Sequence, residues 1–127
     1  MVPGKPDPVR SYQTPWAMAG LQRKNQVMVA EANSLLQVAL RFFAAAAASN
    51  AHAIIEHPAD WFEENVPSIF RLPEVTWLRT WPSCRYEIVD QCCGGAPHKK
   101  PTKLIVAGLP TLRAGRLPHH GRCPGKP

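Results

Sequence analysis

With 127 residues, the chain is long enough for one domain with a hydrophobic core of ordinary size. Its 15 Lys and Arg residues outnumber nine Asp and Glu residues, so the net charge is +6 and a polyanion is a natural partner. The most apolar stretch, residues 38–48, contains Arg41 and is much shorter than the roughly 20 residues of a membrane span. We therefore expect no membrane partner.

The first ten residues carry charges and no apolar run, so the sequence predicts no secretory leader. We expect the chain to be intracellular, in the nucleus or the cytoplasm, and not secreted. Its four cysteines are then expected to be reduced thiols.

Proline and glycine divide the chain into three parts. The 14 Pro and eight Gly residues crowd toward the two ends. We expect a flexible Pro-rich segment at residues 1–15, a folded domain at residues 16–109 and a basic disordered tail at residues 110–127. The chain contains no acidic residue after Asp90, which favours a polyanion-binding tail, although a solvated tail without a partner has the same composition.

A long amphipathic helix is the first predicted element. It begins near Asn25, ends at Ser49 and Asn50, and spans about six turns. Its inward stripe, at three- and four-residue spacing, consists of Val29, Asn33, Leu36, Leu40, Phe43 and Ala47. The alanine run at residues 44–48 suits close packing of the helix end against a sheet.

Three short runs rich in β-branched residues predict strands at residues 51–56, 85–92 and 103–107. Residues 68–81 predict short helical pieces broken at Pro73, and residues 93–102 form either a hairpin connection or an active-site loop. A long helix that leads into a buried strand is an α/β unit. The predicted fold class is therefore α/β, a partial Rossmann-like sheet with a long packing helix and Pro-rich flexible termini.

Polar residues stand at the predicted strand ends. Glu56 follows the first apolar run, Asp90 and Cys92 close the second, and Lys100 and Thr102 open the third. Ligands of open α/β sheets bind at the ends of the strands. Whether these three ends share one edge depends on strand direction, which the sequence leaves open.

Four motifs carry a resemblance to a known family: Ile-Ile-Glu-His-Pro at residues 54–58, Ser-Ile-Phe-Arg-Leu-Pro at 68–73, Asp-Gln-Cys-Cys-Gly-Gly at 90–95 and Lys-Pro-Thr-Lys-Leu at 100–104. With these four motifs in this order, residues 15–123 resemble the C-terminal half of a Rossmann-like domain that is found in phages and mobile elements. That domain is similar to the carbon-5 cytosine DNA methyltransferases.

The resemblance implies a role for each motif. Glu56 would take the place of the acid that contacts a flipped cytosine, although the family's Glu-Asn-Val is Glu-His-Pro in this chain. The basic turn with Lys99, Lys100 and Lys103 would contact the DNA backbone. The one-sided charge of the sequence, rather than the resemblance, adds Arg113 and Arg116 to the expected nucleic-acid-binding residues. The residues that would support the site are Asp90, Cys92 and Thr102. Lysines supply charge without bidentate geometry, so phosphate attraction is expected rather than base reading.

Two features of these methyltransferases are missing upstream of Glu56. The only glycines there are Gly4 and Gly20, so no glycine-rich turn can hold S-adenosylmethionine, and no cysteine provides a Pro-Cys nucleophile. We expect no catalytic activity and no cofactor, unless the missing segments are supplied in trans. The spacing of the cysteines and histidines fits no standard zinc site, so no metal is expected either.

The sequence therefore predicts a truncated, catalytically inactive DNA-methyltransferase-like module with residual nucleic-acid binding. One alternative is a non-enzymatic interaction half-domain that is completed by a protein partner or by self-association. Another is a remnant reading frame without a selected function. A module that shifts DNA as a monomer would favour the first hypothesis, and an oligomer would favour the second.

Overall fold

A computed structural model describes residues 8–11, 13–59, 67–94, 97 and 100–110. Its helices are α1 (Arg23–Ala48) and α2 (Pro73–Arg79), its strands are β1 (Ala53–Pro58), β2 (Cys84–Asp90) and β3 (Pro101–Ala107), and 3₁₀ turns lie at Ile69–Arg71 and Gln91–Gly94. The predicted mixture of a long helix, three strands and short helical pieces is confirmed. The tail predicted to be disordered lies outside the described residues from 111 onward.

The start of α1 differs slightly from the prediction. The helix begins at Arg23, and its N-cap is Gln22, whose side chain makes no capping hydrogen bond. Asn25 therefore lies within the first turn and is not the cap. Propensity and the apolar stripe extend the helix backward past the polar residue that the sequence suggested as its start.

The helix α1 ends just before Ser49 and Asn50, as the sequence analysis predicts. Asn50 has a φ of 57°, the left-handed conformation that Asn tolerates better than most residues. The N–H of Ala51 donates to the Ala46 carbonyl at 2.8 Å, and the N–H of Asn50 donates to the Ala47 carbonyl at 3.3 Å. This pair of hydrogen bonds is a Schellman motif, which satisfies helix-end carbonyls and turns the chain toward β1.

The sheet has the order β1-β3-β2, and both pairings are antiparallel. A Rossmann-like sheet is mostly parallel, so the described pairings give no support to that part of the predicted fold class. The reason lies in the connection between β2 and β3. It is too short for the crossover of a dozen or more residues that parallel neighbours need, and it forms a hairpin connection instead.

Both helices pack on one face of the sheet. The core includes Phe43 from α1, Val75 and Leu78 from α2, and Ile105 from the central strand, each 3% exposed or less. Pro73 occupies the first turn of α2, where its missing N–H costs no hydrogen bond. The fold is thus a two-layer arrangement in which the central strand carries three of the most deeply buried residues, Ile105, Val106 and Ala107.

A polar residue in the inward stripe of α1 anchors the segment before the helix. Asn33 Nδ2 donates to the Trp16 carbonyl at 2.7 Å, and its Oδ1 accepts from Arg10 Nη1 at 2.6 Å. The same Arg10 nitrogen donates to the carbonyls of Pro15 and Trp16 at 2.8 and 2.9 Å. This network explains why the stripe contains an asparagine, since Asn33 holds the backbone of Trp16, whose side chain packs against the core.

Candidate functional site

The sheet brings the three predicted strand ends together. Pro58 of β1 and Val89 of β2 both lie opposite Thr102 of β3, and Asp90 lies opposite Pro101. The ends of β1 and β2 and the start of β3 therefore share one end of the sheet. Strand direction decides this arrangement because β1 and β2 flank an antiparallel β3 and so run in the same direction.

Glu56 lies at this end but on the face that the helices do not cover. It lies opposite Leu104, and the exposure of β1 alternates so that Glu56 is exposed while Ile55 and His57 are half-buried on the helix side. The carboxylate is in contact with solvent and is separated by the sheet from Lys103. An acid that holds a flipped base needs an enclosing pocket, so the position of Glu56 offers a surface charge rather than a base-binding site.

Asp90, Cys92 and Thr102 surround the connection between β2 and β3. Thr102 is 3% exposed, and its Oγ1 donates to the Lys100 carbonyl at 3.2 Å. The N–H of Gln91 donates to the same carbonyl at 3.1 Å. Cys92 is buried at 5% exposure, and Asp90 is half-buried. These residues close the loop and position Lys100, whose side chain is exposed.

Two aromatic rings and two cations form a cluster on the helix-covered face, which we call the cation–aromatic cluster. Lys103 Nζ lies 4.5 Å from the centroid of Tyr86 and 4.8 Å from that of Phe70. The guanidinium of Arg79 lies 5.4 Å from the Tyr86 centroid. Because the face of an aromatic ring carries negative potential, the two rings hold both cations in place.

His57 extends the cluster toward β1. Its ring meets Phe70 edge-on with the centroids 6.1 Å apart, and Phe70 meets Tyr86 edge-on at 5.4 Å. Phe70 is only 4% exposed, and cations lie over both rings. The rings therefore present little free face on which a nucleic-acid base could stack.

A 3₁₀ turn positions Phe70. The buried Ser68 caps the turn, because its Oγ accepts a hydrogen bond from the Phe70 N–H at 3.2 Å. Leu72 follows the turn and is also buried, so the turn is fixed at both ends. The motif Ser-Ile-Phe-Arg-Leu-Pro thus has a structural role, since it places one ring of the cation–aromatic cluster.

We call Arg79, Lys103 and Lys100 the basic row: Arg79 and Lys103 share the ring of Tyr86, and Lys100 directly precedes β3, the strand that carries Lys103. Arg79 and Lys100 are exposed, and Lys103 is half-buried. The sequence predicted the two lysines but missed Arg79, which reaches the row from the end of α2. The predicted residues Lys99, Arg113 and Arg116 lie outside the described part of the chain.

Two further findings on the described residues concern metal binding and the possibility of a membrane span. Within the described ranges, no group of three His, Cys, Asp or Glu side chains could hold a metal ion, and Cys84 and Cys92 are buried. In the same part of the chain, α1 is long and apolar enough to cross a membrane by length and composition. The prediction considered only residues 38–48, which are too short to cross a membrane, whereas the full length of α1 is sufficient.

Comparison of the chain with protein-family models, curated proteins and solved structures finds no match.

Proposed function

We propose that the chain is a nucleic-acid-binding module that contacts phosphate groups through the basic row at one end of its sheet. The observation that carries the proposal is that Arg79 and Lys103 share the ring of Tyr86, and that Lys100 directly precedes β3, the strand that carries Lys103. Arg79 and Lys100 are both exposed. Cations held over aromatic rings lose less side-chain entropy on binding, because their positions are already restricted.

The charge of the C-terminal part of the sequence supports the same proposal. Every charged side chain after Asp90 is a lysine or an arginine, seven in all. Phosphate attraction needs only positive charge within reach and carries no sequence information. Binding should therefore be salt-dependent and nearly independent of the DNA sequence.

The first prediction concerns this salt dependence. Affinity for a fluorescently labelled duplex, measured by anisotropy at increasing KCl concentration, should fall linearly on a log–log plot. Arg79→Gln and Lys100→Gln should each weaken binding about threefold to tenfold and reduce the slope by about 0.9, since each removes one phosphate contact. Lys100→Arg keeps the charge and should bind like the wild type.

The control variant is Arg23→Gln, which removes one exposed positive charge from α1. It should change the affinity and the salt slope less than either basic-row variant. Equal losses in all three variants would mean that net charge alone attracts DNA. Tight binding that ignores salt would contradict the proposal.

The finer hypothesis of a truncated, methyltransferase-like module that is inactive on its own rests on the sequence motifs. A parallel Rossmann-like arrangement would require strands in addition to β1, β2 and β3. We expect calorimetric titration with S-adenosylmethionine to give no saturable heat, because the sequence has no glycine-rich turn before Glu56. A one-to-one isotherm would show that a cofactor pocket exists and would require a test of catalysis.

A further inference from the structure

The helix α1 has apolar side chains on two faces. Its inner face is buried against the sheet and α2, with Phe43 2% exposed and Val29 3% exposed. Its outer face carries large apolar side chains with high exposed fractions: Met28 52%, Leu35 73%, Val38 47% and Phe42 74%. Contiguous exposed apolar surface of this kind on a folded protein marks an interaction site.

The outer apolar residues follow a coiled-coil spacing. Met28, Leu35 and Phe42 are seven residues apart, and Glu31, Val38 and Ala45 fall three residues after them. These six positions are the a and d positions of a heptad repeat, which line up as one seam of a coiled coil. The seam, which we call the outer seam, extends about 26 Å along the helix at 1.5 Å per residue.

The inner and outer faces of α1 consist of different residues. Val29, Leu36 and Phe43 occupy the b positions of this heptad, and Leu40 and Ala47 occupy the f positions. A helix can therefore pack against its own sheet and present the outer seam at the same time. The four exposed apolar residues have no role in the core.

We infer that the outer seam binds a second copy of this chain, with the two α1 helices antiparallel. In the symmetric arrangement, Leu35 faces the partner's Val38 and Met28 faces the partner's Ala45. Glu31 then faces the partner's Phe42 and lies beside the preceding residue, the partner's Arg41, twice in each dimer. A parallel dimer would instead place Glu31 against the partner's Glu31, so charge complementarity selects the antiparallel pair.

The charges at the ends of α1 favour the same arrangement. The helix has no acid in its first turn and no base in its last turn, and Arg23 and Lys24 stand at its positive end. The antiparallel pair brings the partner's Lys24 close to Ser49, where helix carbonyls carry partial negative charge. By contrast, α2 has Glu74 in its first turn and Arg79 in its last turn, which compensates its dipole within one chain.

A lipid membrane is a less suitable partner for the outer seam than a second copy of the chain. Insertion of α1 as a span would withdraw Phe43 and Ala47 from the core and would bury Glu31 and Arg41 in hydrocarbon. A second copy covers only the outer seam and leaves the fold unchanged. Vesicle binding is therefore an outcome that would overturn the proposal.

The test is a charge-reversal cycle on the full chain, with mass measured by sedimentation equilibrium. The wild type should be a dimer that dissociates on dilution. Glu31→Arg and Arg41→Glu should each raise the dimer dissociation constant about tenfold or more, because each creates two like-charge pairs. The double variant should return to within about threefold of the wild type, which generic hydrophobic aggregation cannot explain.

A second pair of variants tests the apolar part of the outer seam. Leu35→Asp should make the chain monomeric, whereas Gln37→Glu, which is exposed and lies off the seam, should leave the dimer intact. Circular dichroism spectra identical to that of the wild type would show that both variants fold. Failure of the double charge reversal to restore the dimer would overturn the antiparallel pairing.

Two further outcomes would overturn the proposal as a whole. One is a wild-type chain that stays monomeric at all concentrations. The other is a monomer that floats with phosphatidylcholine and phosphatidylglycerol vesicles and loses this binding in Leu35→Asp, since the outer seam would then bind lipid. DNA affinity measured on the same variants separates this test from the basic row, because none of its substitutions touches Arg79 or Lys100.

Discussion

Phe43→Ala is expected to lower the free energy of unfolding by about 3–5 kcal/mol, which is a large part of the total stability of a small domain. Phe43 is 2% exposed and is among the largest fully packed side chains of the core. Truncation removes its burial and leaves a cavity between α1 and the sheet that the surrounding strands cannot fill. Urea denaturation followed by circular dichroism gives the measurement.

The adjacent residue is the control. Phe42 has the same side chain in the same helix, but it is 74% exposed. At a protein concentration low enough to keep the chain monomeric, Phe42→Ala should change the free energy of unfolding by less than about 0.5 kcal/mol. Similar losses for the two variants would mean that α1 does not pack on the sheet through the face that carries Phe43.

Gly108→Ala is expected to destabilise the fold by about 3 kcal/mol, an effect second only to that of Phe43→Ala. Gly108 follows β3 with a φ of 70°, and a Cβ at this position would collide with the ring of His52. The ring cannot move away freely, because its Nδ1 accepts a hydrogen bond from the Leu109 N–H at 3.0 Å. Both the backbone strain and the collision therefore oppose the substitution.

Gly20→Ala separates these two causes. Gly20 has nearly the same φ, 74°, but no atom lies within 4 Å of a Cβ built there. Gly20→Ala should lower the free energy of unfolding by only about 1 kcal/mol, which is the cost of the left-handed backbone conformation for a residue with a side chain. Thermal unfolding of both variants gives the comparison. Equal shifts in Tm would contradict a collision with His52, and Gly108→Ala combined with His52→Ala should recover part of the loss.

Hydrogen bonds from Arg85 also stabilise the turn around Gly108. Arg85 Nη1 and Nη2 donate to the carbonyls of Gly108 and Leu109, each at 2.6 Å, while Arg85 Nε donates to Glu87 at 3.0 Å. A charged guanidinium that binds backbone carbonyls stabilises a turn more than a neutral donor would. This half-buried arginine thus ties the end of β3 to β2 and adds to the rigidity that makes Gly108 sensitive.

The helix prediction succeeded because its causes are local. The apolar stripe of α1 and the Ser49-Asn50 ending are properties of neighbouring residues, and both correspond to the observed helix and its Schellman motif. The same apolar pattern did not reveal the outer seam as a separate face of α1. Sequence reasoning assigned one apolar face to α1, whereas exposure in the folded chain separates residues such as Phe43 from residues such as Phe42.

The strand positions were predicted to within a few residues, but their pairing was not. The β-branched runs mark β1, β2 and β3, yet the period of a strand is the same in parallel and antiparallel sheets. The antiparallel hairpin of β2 and β3 could not be distinguished from an active-site loop by composition. For this reason the Rossmann-like arrangement, which the motifs suggested, finds no support in the described pairings.

The sequence by itself determined the long helix, the three strands, the Pro73 break and the excess of positive charge, because these depend on local periodicity, turn chemistry and composition. Only the tertiary structure decided that Glu56 and Lys103 point to opposite faces of one sheet and that Arg79 joins Lys103 over Tyr86. These relations depend on strand register and on where α2 packs. Both are set by contacts between residues far apart in the chain, which no local pattern encodes.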